Sequence, residues 1–160
     1  ICEDGLVKWS PELVNALTQR VCRHLKKAGI IENQLEEGAA QVKSALKQTL
    51  EDPTGRWLLS RHGRDACEYR VSGLMDGRLV NLVIDRTFID DKGVRWIIDY
   101  KRSVHRGGSM EDFLDREKER YREQMAGYAR IMRGMENRPI RLMLYYPQLK
   151  NYREWAADEV

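Results

Sequence analysis

Cysteine is scarce: Cys2, Cys22 and Cys67 stand far apart, which supports neither a disulfide framework nor a Cys-x-x-Cys metal site. A reducing, intracellular setting is the simple expectation. No stretch approaches the roughly 20 consecutive apolar residues of a membrane span, and no secretory leader is visible, so no membrane partner is expected. Strong charge imbalance is absent as well. The net charge is +3 although 33% of residues are charged, above the roughly 25% usual for soluble domains. Internal repeats, low-complexity tracts and a credible second domain are also lacking. The 160 residues therefore read as one domain, residues 1–160, long enough to bury a core. The start at Ile1 rather than methionine suggests a piece excised from a longer protein.

Two strands with one acid each dominate what is present. Val80 to Ile89 and Val94 to Tyr100 are rich in Val, Ile, Leu, Phe and Trp, the composition of buried strands. Asp85 and Asp99 interrupt them. If Asp91, Lys92 and Gly93 form a three-residue loop closed by a left-handed Gly93, Asp90 pairs with Val94. Counting back then sets Asp85 opposite Asp99. Like charges in that position repel, so a cation is expected between them. Lys101 lies two residues past Asp99 and shares its face. A two-residue loop would instead put the acids on opposite faces.

Helices are expected on both sides of this hairpin. Ser10-Pro11-Glu12 opens one that stops at Gly29. A second starts at Asn33 and carries the stripe Leu35, Ala39, Val42, Leu46, Leu50 up to Asp52-Pro53. Arg56 to Leu59 reads as a short helical turn, and Ala66 to Ser72, with Glu68, as a short strand before the Met75-Asp76-Gly77 turn. Ser109 to Asp112 opens the longest helix, Glu111 to Met135, with Phe113, Leu114, Tyr121, Met125, Tyr128 and Met132 inward. Ile140 to Tyr146 is another strand. Gln148 to Val160 reads as a polar tail anchored by Trp155.

Several polar residues remain ambiguous. Arg116, Arg120, Arg122, Arg130 and Arg133 on the long helix read as a solvated face balanced by Glu111, Asp112, Asp115, Glu117, Glu119 and Glu123. Arg102 and Arg106, close to Lys101, are better phosphate contacts. His62 and His105 fall in loops, with His105 near enough to Lys101 to touch a ligand. Of the 28 basic residues 19 are Arg, the side chain suited to forked phosphate contacts.

Paired carboxylates on adjacent strands are hard oxygen ligands of the kind Mg²⁺ takes. A neighbouring lysine stabilises charge on an attacked phosphate or orients the attacking water. Asp85 with Asp99-Tyr100-Lys101 resembles the bipartite motif of the PD-(D/E)XK nuclease superfamily. Ile97-Ile98-Asp99-Tyr100-Lys101-Arg102-Ser103, followed by Tyr121 and Gln124-Met125-Ala126-Gly127-Tyr128, resembles the C-terminal nuclease domain of the exodeoxyribonuclease V beta-subunit and AddA-type helicase-nucleases. The likeness runs from Gly55-Arg56-Trp57 through Glu68 to Leu144-Tyr145-Tyr146-Pro147.

The resemblance implies an α/β fold, a central mixed sheet flanked by helices. It implies a Mg²⁺ or Mn²⁺ site with Asp85, Asp99 and the Tyr100 carbonyl as ligands, Lys101 as base or charge stabiliser, and Glu68 as a further catalytic candidate. Gln124 and Tyr128 line the DNA side, and their four-residue spacing independently puts them on one helical face. The implied partners are DNA, the ATP-driven helicase domains of the same polypeptide and partner subunits, in a bacterial cytoplasm on the nucleoid. Two departures stand out. The preceding helix offers Gln41, Val42 and Lys43 without a ligand histidine, leaving Glu36 or Glu37 as substitutes, and three scattered cysteines cannot hold an iron-sulfur cluster. A catalytically silent DNA-binding scaffold on the same fold is the alternative.

Overall fold

The computed structural model describes residues 11–27, 29, 32–103, 105 and 107–159. They fall into two compact units, Ile1–Ser60 and Arg61–Val160. The N-terminal unit is helical: α1 spans Pro11–Lys27, α2 Glu32–Glu51 and α3 Pro53–Leu59. Proline at the first position of α1 suits a site where no N–H partner is needed; the expected Ser10 cap lies outside the described residues. Beyond α1, Gly29 takes φ +82° and donates its N–H to the Lys26 carbonyl at 3.0 Å, the left-handed stop that glycine permits. Leu35 and Ala39 of the α2 stripe are buried. The Asp52-Pro53 pair does more than end α2. Asp52 caps α3, its carboxylate accepting from the N–H groups of Thr54 and Gly55, which lengthens the expected helical turn to seven residues.

The C-terminal unit is an α/β fold. Five strands, β1 Gly63–Met75, β2 Arg78–Ile89, β3 Arg95–Tyr100, β4 Ile140–Tyr146 and β5 Asn151–Ala156, form one sheet in sequential order. All neighbours are antiparallel except β3 and β4, which are parallel. A parallel pair needs a long crossover, here supplied by α4, Met110–Met135. Ser109 caps α4 by accepting the Asp112 N–H at 3.3 Å.

The α4 helix lays Leu114, Met125, Tyr128, Ala129, Ile131 and Met132 against Val71, Ile84, Ile97, Leu142, Leu144, Tyr146 and Trp155 of the sheet. Burying each large apolar side chain contributes about 1.5–3 kcal/mol, and the helix is fixed along the sheet by that stripe. Phe113 and Tyr121, expected inward, are partly buried at its margin. Close approach is needed at two glycines: a Cβ at Gly73 would meet Ile131 at 3.1 Å and one at Gly127 would meet Met75 at 3.4 Å.

Two strands differ from expectation. β1 extends well past Ala66–Ser72 because Asp76 (φ +51°) and Gly77 (φ +76°) make a two-residue turn with both residues left-handed. That is the turn whose twist suits a long hairpin, and it pairs the strands up to Met75 with Arg78. β5 replaces the expected polar tail. Trp155, opposite Leu142 and 2% exposed, is its anchor. The cysteine reading also changes, since Cys67 is disulfide-bonded while Cys22 is a free thiol. Among the described residues no helix is long and apolar enough to cross a membrane.

Candidate active site

The β2–β3 turn has the expected form. Asp90 N–H donates to the Val94 carbonyl and Gly93 N–H to the Asp90 carbonyl, both at 3.0 Å, with Gly93 at φ +78°. The Asp90 side chain, which sequence reasoning passed over, fastens it. Its Oδ1 accepts from the N–H groups of Lys92 at 3.0 Å and Val94 at 2.9 Å, and its Oδ2 from the Trp96 indole at 2.8 Å. Burial opposes ionisation there, but these donors hold the Asp90 carboxyl below its usual range.

From that turn the ladder runs Ile89–Arg95, Phe88–Trp96, Thr87–Ile97, Arg86–Ile98. One step further, the same count sets Asp85 across from Asp99, near enough for the Asp85 charge to act on Asp99. The ladder's last rung has ended there, and the Asp85 carboxylate accepts the Tyr100 N–H at 2.9 Å. Asp99 is buried. Lys101 reaches it, Nζ to Oδ2 at 2.7 Å, with side-chain exposures of only 13% and 6%. Burial raises the Asp99 carboxyl above its usual value and the Asp85 charge raises it further, while the Lys101 and Gln124 contacts act the other way.

The α4 helix closes the cluster. Gln124 donates Nε2–H to Asp99 Oδ1 at 2.9 Å and to the Tyr128 hydroxyl at 2.7 Å, and its Oε1 accepts from Lys101 at 3.4 Å. The Lys101 ammonium stands 3.5 Å from the centre of the Tyr121 ring, within the range of a favourable cation–π contact. Burial first, then the nearby charges of Asp99 and Asp85, raise the Tyr128 phenol above its usual value. On the other side of β3 the Tyr100 hydroxyl is buried without a hydrogen bond, and burial pushes it up to about 12.

Asp85, Asp99, Lys101, Gln124 and Tyr128 are thus brought together, with the Tyr100 backbone among them. Glu68 is not gathered with them. It falls in register opposite Asp85, between the pairs Cys67–Arg86 and Tyr69–Ile84, but it is exposed and takes φ +47°. Arg102 follows Lys101 and is exposed; Arg106 lies outside the described residues. Glu36 and Glu37 are exposed on α2 of the N-terminal unit. His62 stacks on Phe88 at 3.9 Å, and His105 lies 3.1 Å from the Gly108 carbonyl beside the Phe113 ring. Glu117 is a buried acid that sequence reasoning read as solvated. Its Oε2 accepts the Ser103 hydroxyl at 2.6 Å, and burial first, then the Glu117 charge, raise the Tyr146 phenol.

Among the described residues no group of three His, Cys, Asp or Glu side chains is arranged to hold a metal. The donor set of Asp85 and Asp99 still fits a hard divalent cation, because two neighbouring carboxylates, one of them buried, gain from a positive charge between them. No family model and no curated protein matches the chain. Among solved structures, one described as "Crystal structure of SSO0001" is similar over 88% of this chain and 62% of its own length, with 15% identity and a TM-score of 0.32. That likeness is too distant to carry an argument about function.

Proposed function

We propose that this chain is a metal-dependent DNA nuclease module of the PD-(D/E)XK type, coupled to a helicase in the processing of double-strand breaks. The observation that carries the reading is the neighbouring pair Asp85 and Asp99, with Lys101 bonded to Asp99 and Gln124 bonded to both Asp99 and Lys101. An acid pair of this kind works against folding and has a use when it binds a cation. Asp85, Asp99 and the Tyr100 carbonyl would hold Mg²⁺ or Mn²⁺, which when bound polarises a phosphate and lowers the pKa of water.

The chain's own residues do the rest. Lys101, released from Asp99, sets its ammonium against the charge that builds on the attacked phosphate and orients the water whose oxygen bonds to phosphorus. The water's proton passes to solvent as the new bond forms, and the ester oxygen leaves with its electron pair and takes a proton from solvent. Gln124 keeps Lys101 and Asp99 in register with each other, and Tyr128 fixes the Gln124 amide. Gln124 and Tyr128 form the wall along which the strand lies, with Arg102 and Arg106 as phosphate contacts. The ATP-driven helicase part and partner subunits supply the strand, in the bacterial cytoplasm.

Incubation of linear single- and double-stranded DNA with the protein and Mg²⁺ or Mn²⁺ tests this. Wild type should degrade DNA, and Asp99→Ala and Lys101→Ala should each lose at least about 100-fold in rate while unfolding as cooperatively as wild type. Equal degradation by wild type and both variants sinks the proposal.

A further inference from the structure

We propose that Arg120 is a substrate-binding residue that grips a backbone phosphate beside the one being cut, with Glu117 as the side chain that holds it in place. The inference rests on the nuclease reading for its ligand, and on a separate set of contacts for its geometry. Glu117 is 7% exposed, an unusual setting for an acid in a helix otherwise studded with solvated charges. While its Oε2 takes the Ser103 hydroxyl, its Oε1 lies 3.3 Å from Arg120 Nη1. The Arg120 side chain is nevertheless 66% exposed.

The guanidinium therefore uses one edge on a buried carboxylate and presents other donors to solvent, and its planar fork suits a phosphate. Its position also points to the site. Arg120 Cζ lies 5.2 Å from the centre of the Tyr121 ring, the same ring that Lys101 approaches at 3.5 Å. Arg120 and Lys101 thus both lie against one aromatic ring. Other arginines of α4 are turned elsewhere: Arg122 pairs with Glu119 and with the Glu159 carbonyl, and Arg130 lies 3.5 Å from Asp76 in the β1–β2 turn. Holding Arg120 ready through Glu117 removes part of the ordering cost of binding.

Fluorescence anisotropy of a labelled single-stranded oligonucleotide, in EDTA and across a salt series, tests the inference without cleavage. Arg120→Gln should weaken binding about tenfold and flatten the slope of log K against log salt by about 0.7, the share of one phosphate contact on a single strand. Arg120→Lys should keep the wild-type slope, and Arg130→Gln should change neither quantity. An unchanged slope in Arg120→Gln, an equal loss in Arg130→Gln, or no binding by wild type overturns the inference. The two proposals separate cleanly. Arg120-dependent binding without metal-dependent cleavage sustains this one against the nuclease reading, whereas cleavage with an Arg120-independent slope does the reverse.

Discussion

The two ends of β3 each carry a buried ionic cluster, and the clusters behave in opposite ways. At the start of the strand Arg95, 5% exposed, meets Glu136 in a forked pair, with Nη2 to Oε2 at 3.1 Å, and also donates to the Arg64 carbonyl and the Thr87 hydroxyl. The Arg95 hydrogen bond holds the Glu136 carboxyl below its usual range despite burial. At the other end Asp99 also has a cation within hydrogen-bond distance, yet burial and the neighbouring Asp85 raise it. One acid is matched by its surroundings and the other is opposed by them. On the proposed reading, the difference separates an ion pair that serves the fold from one arranged for a further charge.

Removing the matched cation should have the largest effect on stability. Arg95→Ala takes the forked partner from Glu136 and leaves it Arg138, 3.4 Å away, so urea unfolding should show a loss of about 3 kcal/mol. A smaller loss is expected for Lys101→Ala, where Asp99 keeps the Gln124 amide and its raised carboxyl takes up a proton more readily. A loss in Arg95→Ala no greater than that of Lys101→Ala would erase the distinction. Next in size is the response to metal. Mg²⁺ or Mn²⁺ at about 100 times its Kd should stabilise wild type by about 2.7 kcal/mol, read as a rise in melting temperature. That rise should vanish in Asp85→Asn and Asp99→Asn and persist in Glu136→Gln; a rise of the same size in the Asp variants would mean the cation binds elsewhere.

The smallest effect is on acid stability. Because Glu136 titrates lower when folded than when unfolded, its contribution is full above the unfolded carboxyl value of about 4.3 and is lost as pH falls through the lower folded value. Urea midpoints measured from pH 6 downward, about the range in which carboxyls titrate, should fall less steeply for Glu136→Gln than for wild type. Parallel profiles would show that the pair adds nothing at acid pH.

Much of the site was legible because it depends on local counting. Gly93 is the residue that can close a three-residue loop, and once it does, Asp85, Asp99 and Lys101 follow by the two-residue period of a strand. The four-residue step from Gln124 to Tyr128 is similarly local. Glu117 and Arg120 were not legible, since an acid and a base three apart on a helix look the same whether water or a sheet edge lies beside them. The Asp90 bond to Trp96 depends on how the turn twists, and β5 is short, half-exposed and polar, so neither leaves a periodic trace. β1 was underestimated because exposed Leu74 and Leu79, paired at the hairpin tip, give no apolar alternation.

The turn at Asp90 to Val94 acts on the acids as a start codon acts on a message. Its length sets the phase in which everything downstream is read, so one residue inserted or deleted there would turn Asp99 and Lys101 to the opposite side of the sheet. A change of two would restore the side but give Asp85 a different companion. Changes of length among descendants of this chain should therefore be tolerated at the Asp76-Gly77 hairpin, which carries no part of the site, while the Asp90 to Val94 turn admits substitutions at Asp91 and Lys92 alone.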